Sequence, residues 1–474
     1  MPDILEPDIC VIGAGSGGLS VAAAAAAFGV PVVLIEKHKM GGDCLNYGCV
    51  PSKALIAAAT RAADFATSAR FGVSAGHPKV DFPQVREHVR RVIAAIAPND
   101  SAERFGALGV RVIAGTARFK DAVTVAVDKL EIKARRFVIA SGSSPAIPTI
   151  PGLADAPHLT NETIFDLAEC PEHLVVIGAG PVGLELAQAF RRLGAHVTVL
   201  EAALPLAKHD PECAEIVLDQ LKRDGVVLRL GVVVTRVTQA DGKIRVAIAR
   251  GDGDETIEGT HLLVAAGRTP NTGDLGLEAA GIRYERRGIL VDKRLRTTNR
   301  RVYAIGDVTG GLPLTHVANY HAGLVVRHAL FRLPVRVDHD AIPWVTFTEP
   351  ELAQVGLSEA EARARNDSVR VLRWPFHEND RAQAERATHG HIKVVTSRHG
   401  RILGATIVGR HAGELIATWA LAVGQRLNIR ALAGSVVAYP TLAEVGKRAA
   451  ITYFAGGLTS PLVRRIIVWL RRFG

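Results

Sequence analysis

The stretch GGDCLNYGCVPSKAL, from Gly41 to Leu55, holds two of the chain's five cysteines, Cys44 and Cys49, with Lys53 close behind. Such a pair could ligate a metal, form a structural disulfide or carry electrons. Structural zinc needs a second pair of Cys or His ligands. Cys10, Cys170 and Cys213 are scattered and have no C-x-x-C companion, so no metal site is expected. A structural disulfide between such near neighbours closes a very small loop and is out of place in a reducing compartment. A redox dithiol fits best, because a helix start and a neighbouring cation both favour a thiolate.

A redox pair needs an electron source, and the sequence repeats itself in a way that supplies one. DICVIGAGSGGLSVAAAAAAFGVPVVLIEK starts at Asp8, and HLVVIGAGPVGLELAQAFRRLGAHVTVLEA starts at His173. Each copy runs apolar strand, G-x-G-x-x-G, helix, second apolar strand, glutamate. The glycines are Gly13, Gly15 and Gly18, then Gly178, Gly180 and Gly183; the acids are Glu36 and Glu201. This is the βαβ dinucleotide fingerprint. Its first glycine allows the tight turn, its second lets the backbone approach a diphosphate, and its third lets helix pack on strand. The diphosphate then meets the free N–H groups of the helix N-terminus. A carboxylate at Glu201, followed by AALP without an arginine, favours NADH over NADPH.

Around these motifs the chain reads as an ordinary globular protein of 474 residues, 48% hydrophobic and 22% charged, enough for two to four domains. The net charge is +10, but arginine is dispersed and no zinc-finger or aromatic ribonucleoprotein motif occurs, so nucleic-acid binding is not expected. The N-terminus reads as a first strand rather than a signal peptide. No charge-free apolar stretch is long enough to span a membrane. The reducing cytoplasm is the expected compartment. A basic amphipathic tail, SPLVRRIIVWLRRFG, fits either a peripheral membrane contact or packing on its own protein.

Two strand-and-loop units close the nucleotide domains: FVIASGSSP, with Ser141 and Gly142, and HLLVAAGRTPN, with Gly267. In RRVYAIGDVTG, a strand from Val302 to Ile305 delivers Gly306 and Asp307 into a loop, where the acid suits either a ligand's hydroxyls or a helix cap. After about residue 340 the pattern becomes α+β and carries no dinucleotide motif.

Taken together, the cysteine segment through Lys53, both fingerprints, Tyr303–Asp307 and EPELAQVGLSEAEA resemble the flavin-dependent pyridine nucleotide-disulfide oxidoreductases. This family includes glutathione reductase, dihydrolipoamide dehydrogenase and mercuric reductase. The resemblance implies an α/β fold of two Rossmann-like domains plus a C-terminal α+β dimerisation domain. FAD would be bound by 1–150 and 271–340, NAD(P)H by 151–270, and a homodimer formed through 341–474. The first fingerprint with Glu36, together with Asp307, would hold FAD, and the second with Glu201 would hold NAD(P)H. Gly42, Ser141, Gly142, Gly267, Gly306 and His316 would lie beside the cofactors. Cys49 would face the flavin, Cys44 would be the exposed interchange thiol, and Lys53 would pair with Glu185.

The match departs from the family near the C-terminus. Where disulfide reductases carry a histidine before Pro-Thr, this chain has Tyr439, although the following Glu444 is kept. A phenol is a poor proton shuttle at neutral pH. A tyrosine there resembles mercuric reductase, but no vicinal cysteine pair follows Cys213. The expected acceptor is therefore a soft one: a metal ion such as mercuric ion, a disulfide, a quinone or a reactive oxidant. Alternatives are a dihydrolipoamide- or glutathione-type reductase, a plain NADH oxidase, or a flavoprotein with a membrane-surface partner. His316 or His321 could replace the missing histidine, or be a surface or capping residue.

Overall fold

The computed structural model describes residues 3–73, 79–251, 253–366, 368–458 and 460–473. The chain divides into two compact units, 1–202 with 227–337 and 203–226 with 338–474.

In the first unit both fingerprints become parallel sheets. The first sheet has the strand order Val302–Ala304, Arg136–Ile139, Ile9–Ile12, Val32–Glu36, Val110–Ala114. The second runs Val227–Leu230, His196–Glu201, His173–Ile177, His261–Val264. The continuous apolar runs at the centres of these sheets follow from burial of both faces: Ile9, Cys10, Val11, Leu174, Val175 and Val176 are fully buried. Each glycine turn therefore lies at the C-terminal end of a central strand and opens a helix, Ser16–Ala27 or Pro181–Arg192.

The segment between the fingerprints forms the expected short strands. The two closing loops pair directly: Ser143–Pro145 runs antiparallel to Arg268–Pro270. The helix Thr315–Phe331 packs on Ser16–Ala27 through small residues. A Cβ on Gly17 would meet the Cβ of Ala318 at 3.2 Å, so the alanine-rich face exists to let these helices approach.

The second unit has a five-stranded antiparallel sheet, ordered Trp344–Thr346, Glu351–Gly356, Ile402–Gly409, His391–Ser397, Val369–Pro375. Phe376, Trp419 and Ile407 are buried in its core. It also takes in Ala203–Val226, a stretch that lies inside the 151–270 range read from the sequence. The helix Pro211–Arg223 is held there by charge. Lys393, 6% exposed, lies 2.8 Å from Asp210, 3.1 Å from Glu212 and 3.0 Å from Glu359. Burial works against its charge, but the three carboxylates outweigh it and hold its pKa up.

Candidate functional site

The two cysteines sit on consecutive helices, one short and one long, in the first unit. Gly41 and Gly42 have φ of +83° and +58°, a backbone that only glycine adopts freely. They fold the chain onto the first glycine turn: Gly41 N donates to Ala14 O at 3.0 Å, and a Cβ on Gly42 would stand 2.7 Å from the Cα of Gly15. Cys44 then lies within the helix Gly42–Asn46, and Cys49 opens the helix Cys49–Thr67.

Both thiols are free, Cys44 half-buried and Cys49 exposed.

Their acidities diverge sharply. The Cys49 thiol is lowered to about 6, chiefly by a hydrogen bond from Cys44, then by Thr315 and the charge of Lys53, with burial and Asp43 opposing. Cys44 is pushed up by the same bond and by burial. The Thr315 hydroxyl lies 3.5 Å from Cys49 Sγ. Cys10, Cys170 and Cys213 are all pushed up by burial. Among the five, only Cys49 is tuned to be a thiolate near neutral pH.

Lys53 follows Cys49 by four residues on one helix, so both occupy the same face. Its Nζ reaches Glu185 Oε2 at 2.8 Å, and the Glu185 side chain is 6% exposed. Lys53→Met and Asp43→Asn should move Cys49 in opposite directions. The first should raise its pKa and the second lower it, each by up to about one unit. The pH dependence of iodoacetamide alkylation of Cys49 in the reduced protein, read by peptide mass, checks this; shifts of the same sign would contradict it.

The glycine turns test whether a dinucleotide fits. A Cβ on Gly13 would stand 2.4 Å from Ala140 O, and one on Gly18 1.8 Å from Gly13 O. In the second copy the same clashes are 2.5 Å to Ala265 O for Gly178 and 2.1 Å to Gly178 O for Gly183. Protein packing alone thus explains four of the six glycines. Gly15 and Gly180 differ: both have φ of −77°, where any residue is at ease, and a Cβ would meet nothing within 4 Å. The open space beside them, at a helix N-terminus, suits a diphosphate. Glu36 and Glu201 each accept a bond from their own turn, Ala14 N at 2.6 Å and Ala179 N at 2.7 Å. Each carboxylate thereby lies beside the nucleotide turn.

Asp307 lies on a loop held from behind by buried His321, whose Nδ1 accepts from Gly306 N at 3.2 Å. His321 is thus a loop support; His316 is exposed on the first turn of its helix. Burial pushes the Asp307 carboxyl up, opposed by a 2.6 Å bond from the Ser143 hydroxyl and by Arg268.

Arg268, Asn161 and Thr315 are residues that sequence reading missed. Arg268 donates to the Ser143 hydroxyl and carbonyl at 2.7 Å each and reaches Asp43 at 3.3 Å. Asn161 donates to Asp43 at 3.1 Å and to the Tyr47 carbonyl at 3.2 Å. Ser141 and Asn271 bond each other's backbone, which braces the loop beside Gly142. Gly142, Gly267 and Gly306 have positive φ, which their tight turns require. The one signal for Arg268 was its place beside Gly267.

The structure thus brings Cys44, Cys49, Lys53, Glu185 and Asp307 into one unit with both glycine turns. Tyr439 and Glu444 belong to the second unit. Tyr439 is 70% exposed and donates to Asp380 at 2.8 Å; this bond and the Asp380 charge raise its pKa further. Among the described residues, no cluster of three or more His, Cys, Asp and Glu side chains could hold a metal ion.

Comparison with known proteins agrees with this geometry. Residues 7–322 match the pyridine nucleotide-disulphide oxidoreductase family, and residues 342–450 match that family's dimerisation domain. The chain is 35% identical to mercuric reductase of Lysinibacillus sphaericus, over 94% of this chain and 82% of that one. It is 36% identical to dihydrolipoyl dehydrogenase of Staphylococcus aureus, over 94% and 96%. Among solved structures, the Cu(II) complex of the HOCl-induced flavoprotein disulfide reductase RclA from Escherichia coli superposes with a TM-score of 0.85 at 28% identity, covering 94% of this chain and 99% of that one.

Proposed function

The chain belongs to the pyridine nucleotide-disulphide oxidoreductase family, and from that premise we propose that it passes electron pairs from NADH through FAD and the Cys44–Cys49 pair to a soft metal ion, such as mercuric ion. It is an FAD-dependent oxidoreductase that uses NAD(P)H and carries the family's dimerisation domain. Bound FAD supplies a two-electron link between nicotinamide and dithiol.

The chain's own residues do the rest. Gly13, Gly15, Gly18, Glu36 and Asp307 would hold FAD, with Gly42, Ser141, Gly142, Gly306 and His316 around it. Gly178, Gly180, Gly183, Glu201 and Gly267 would hold the nicotinamide nucleotide. The observation that carries the reading is the Cys49 thiol, lowered to about 6 by its bond from Cys44 and by Lys53. The oxidised Cys44–Cys49 disulfide is the form that takes up an electron pair, and its reduction leaves Cys49 as a thiolate and Cys44 as a protonated thiol. Reduction of a divalent metal ion then balances: one thiolate and one thiol lose two electrons and one proton, one S–S bond forms, and the ion gains the electron pair.

Tyr439 favours a metal ion over a disulfide. Thiol–disulfide exchange needs a proton delivered to the leaving sulfur, and a phenol raised above its usual pKa by Asp380 does not deliver it at neutral pH. A metal ion needs no such proton. The identity to mercuric reductase and the Cu(II) complex of RclA support the same choice.

A dihydrolipoamide-type activity is the second reading, favoured by the similar identity to dihydrolipoyl dehydrogenase. Steady-state rates with lipoamide and with mercuric ion, compared in the native protein and in Tyr439→His, separate the two. The native protein should prefer the metal ion, and the histidine should raise lipoamide turnover by at least about 10²-fold, the usual worth of a general acid–base. Fast native lipoamide turnover that falls in Tyr439→His would establish the second reading instead.

A further inference from the structure

The last helix, Pro461–Leu470, lies beyond the family's dimerisation domain, which ends at residue 450. Every residue from Pro461 to Phe473 is exposed. At about 100° per residue, Leu462, Val463, Ile466, Ile467, Trp469 and Leu470 share an arc of about 160°. Arg464 and Arg465 lie on the opposite side with Pro461 and Val468, and Arg471, Arg472 and Phe473 follow the helix, with the Phe473 ring against Trp469. Trp469 is 55% exposed and Phe473 71%. No aspartate or glutamate occurs after Glu444.

We propose that this helix docks the protein on an anionic lipid bilayer, lying in the headgroup plane with Trp469 and its apolar neighbours immersed and the arginines on lipid phosphates. The charge pattern selects this occupant. A second copy packed on the apolar face would cover that face but leave the arginines on the outer side without an anionic partner. A nucleic acid would satisfy the arginines and leave the broad apolar arc in water. An anionic bilayer satisfies both faces. Ten helical residues span about 15 Å, half of a hydrocarbon core, so the helix lies on the membrane and does not cross it. No helix among the described residues is long and apolar enough to cross.

Co-sedimentation of the flavin-loaded full chain with vesicles tests this independently of any acceptor. Phosphatidylglycerol–phosphatidylcholine vesicles should bind it, and pure phosphatidylcholine vesicles should bind far less. Arg464→Glu with Arg465→Glu should weaken binding on the order of 30-fold or more, given a several-fold effect for each cation near the surface. Ile466→Ser with Trp469→Ser should abolish binding while NADH oxidation stays unchanged. Sedimentation velocity without vesicles identifies a rival occupant. If the serine variant turns a dimer into a monomer, a second copy covers the face and the proposal fails. It also fails if the native chain does not bind anionic vesicles at low salt, or binds them equally well without residues 460–474.

Discussion

Cys49→Ser should lower NADH-driven reduction of a dithiol-routed acceptor by at least about 10³-fold, since a serine hydroxyl can neither ionise near neutral pH nor close a disulfide. Flavin content should be unchanged, because the glycine turns and Asp307 remain. Cys44→Ser should be comparably inactive for a different reason. It keeps the Cys49 thiol and a hydroxyl that can still donate to it, whereas Cys44→Ala removes the hydrogen bond that does most to lower it, so in Cys44→Ala Cys49 should also alkylate with a higher apparent pKa. Turnover assays on the two serine variants and alkylation profiles of Cys49 in Cys44→Ser and Cys44→Ala read these effects separately. Near-native reduction of the acceptor in Cys49→Ser would mean that electrons leave without the dithiol, as in a plain NADH oxidase.

The second large effect comes from two glycines three residues apart. Gly180→Ala places its Cβ in open space on a backbone that alanine adopts readily. Folding should be unaffected, with Tm within about 2 °C of the native value. The KM for NADH should nonetheless rise by about tenfold or more, because the methyl group occupies the approach to the diphosphate. Gly183→Ala should behave in the opposite way: its Cβ would lie 2.1 Å from Gly178 O, so the helix must part from the strand. A loss of about 3 kcal/mol is expected, from overpacking against backbone that cannot turn aside. Thermal melts and Michaelis–Menten kinetics with NADH and NADPH resolve the pair. If Gly180→Ala left KM unaltered, the second turn would not be a nucleotide site. The native comparison also tests Glu201, whose carboxylate should hold kcat/KM for NADH above that for NADPH.

What could be read in the sequence was whatever depends on short spacing or on a repeated pattern. The glycine turns, the strands that carry them and the cysteine pair all show themselves within windows of about thirty residues. The association of Lys53 with Glu185 came through family resemblance; spacing alone does not bring residues 132 apart together. Arg268, Asn161 and Thr315 escaped notice because each reaches the cysteine segment from a distant loop or helix, and a lone Arg, Asn or Thr in a loop has no pattern. The membership of Pro211–Arg223 escaped for the same reason. Its sequence reads as one more helix of a nucleotide domain, and the residues that hold it in the second unit, Lys393 and Arg373, lie more than a hundred and fifty residues on.

The Lys53–Glu185 ion pair carries a thermodynamic consequence. Lys53 stands one helical turn from the thiolate, and Glu185 belongs to the first turns of the helix that begins at the second glycine motif. Any interaction between nucleotide at that helix end and charge at Cys49 is a linkage, and linkage is reciprocal. To whatever degree the reduced pair alters affinity for the nucleotide, the nucleotide must alter the midpoint potential of the pair by the same free energy. One buried carboxylate thereby joins two equilibria, electron occupancy and ligand occupancy, that would otherwise be set independently.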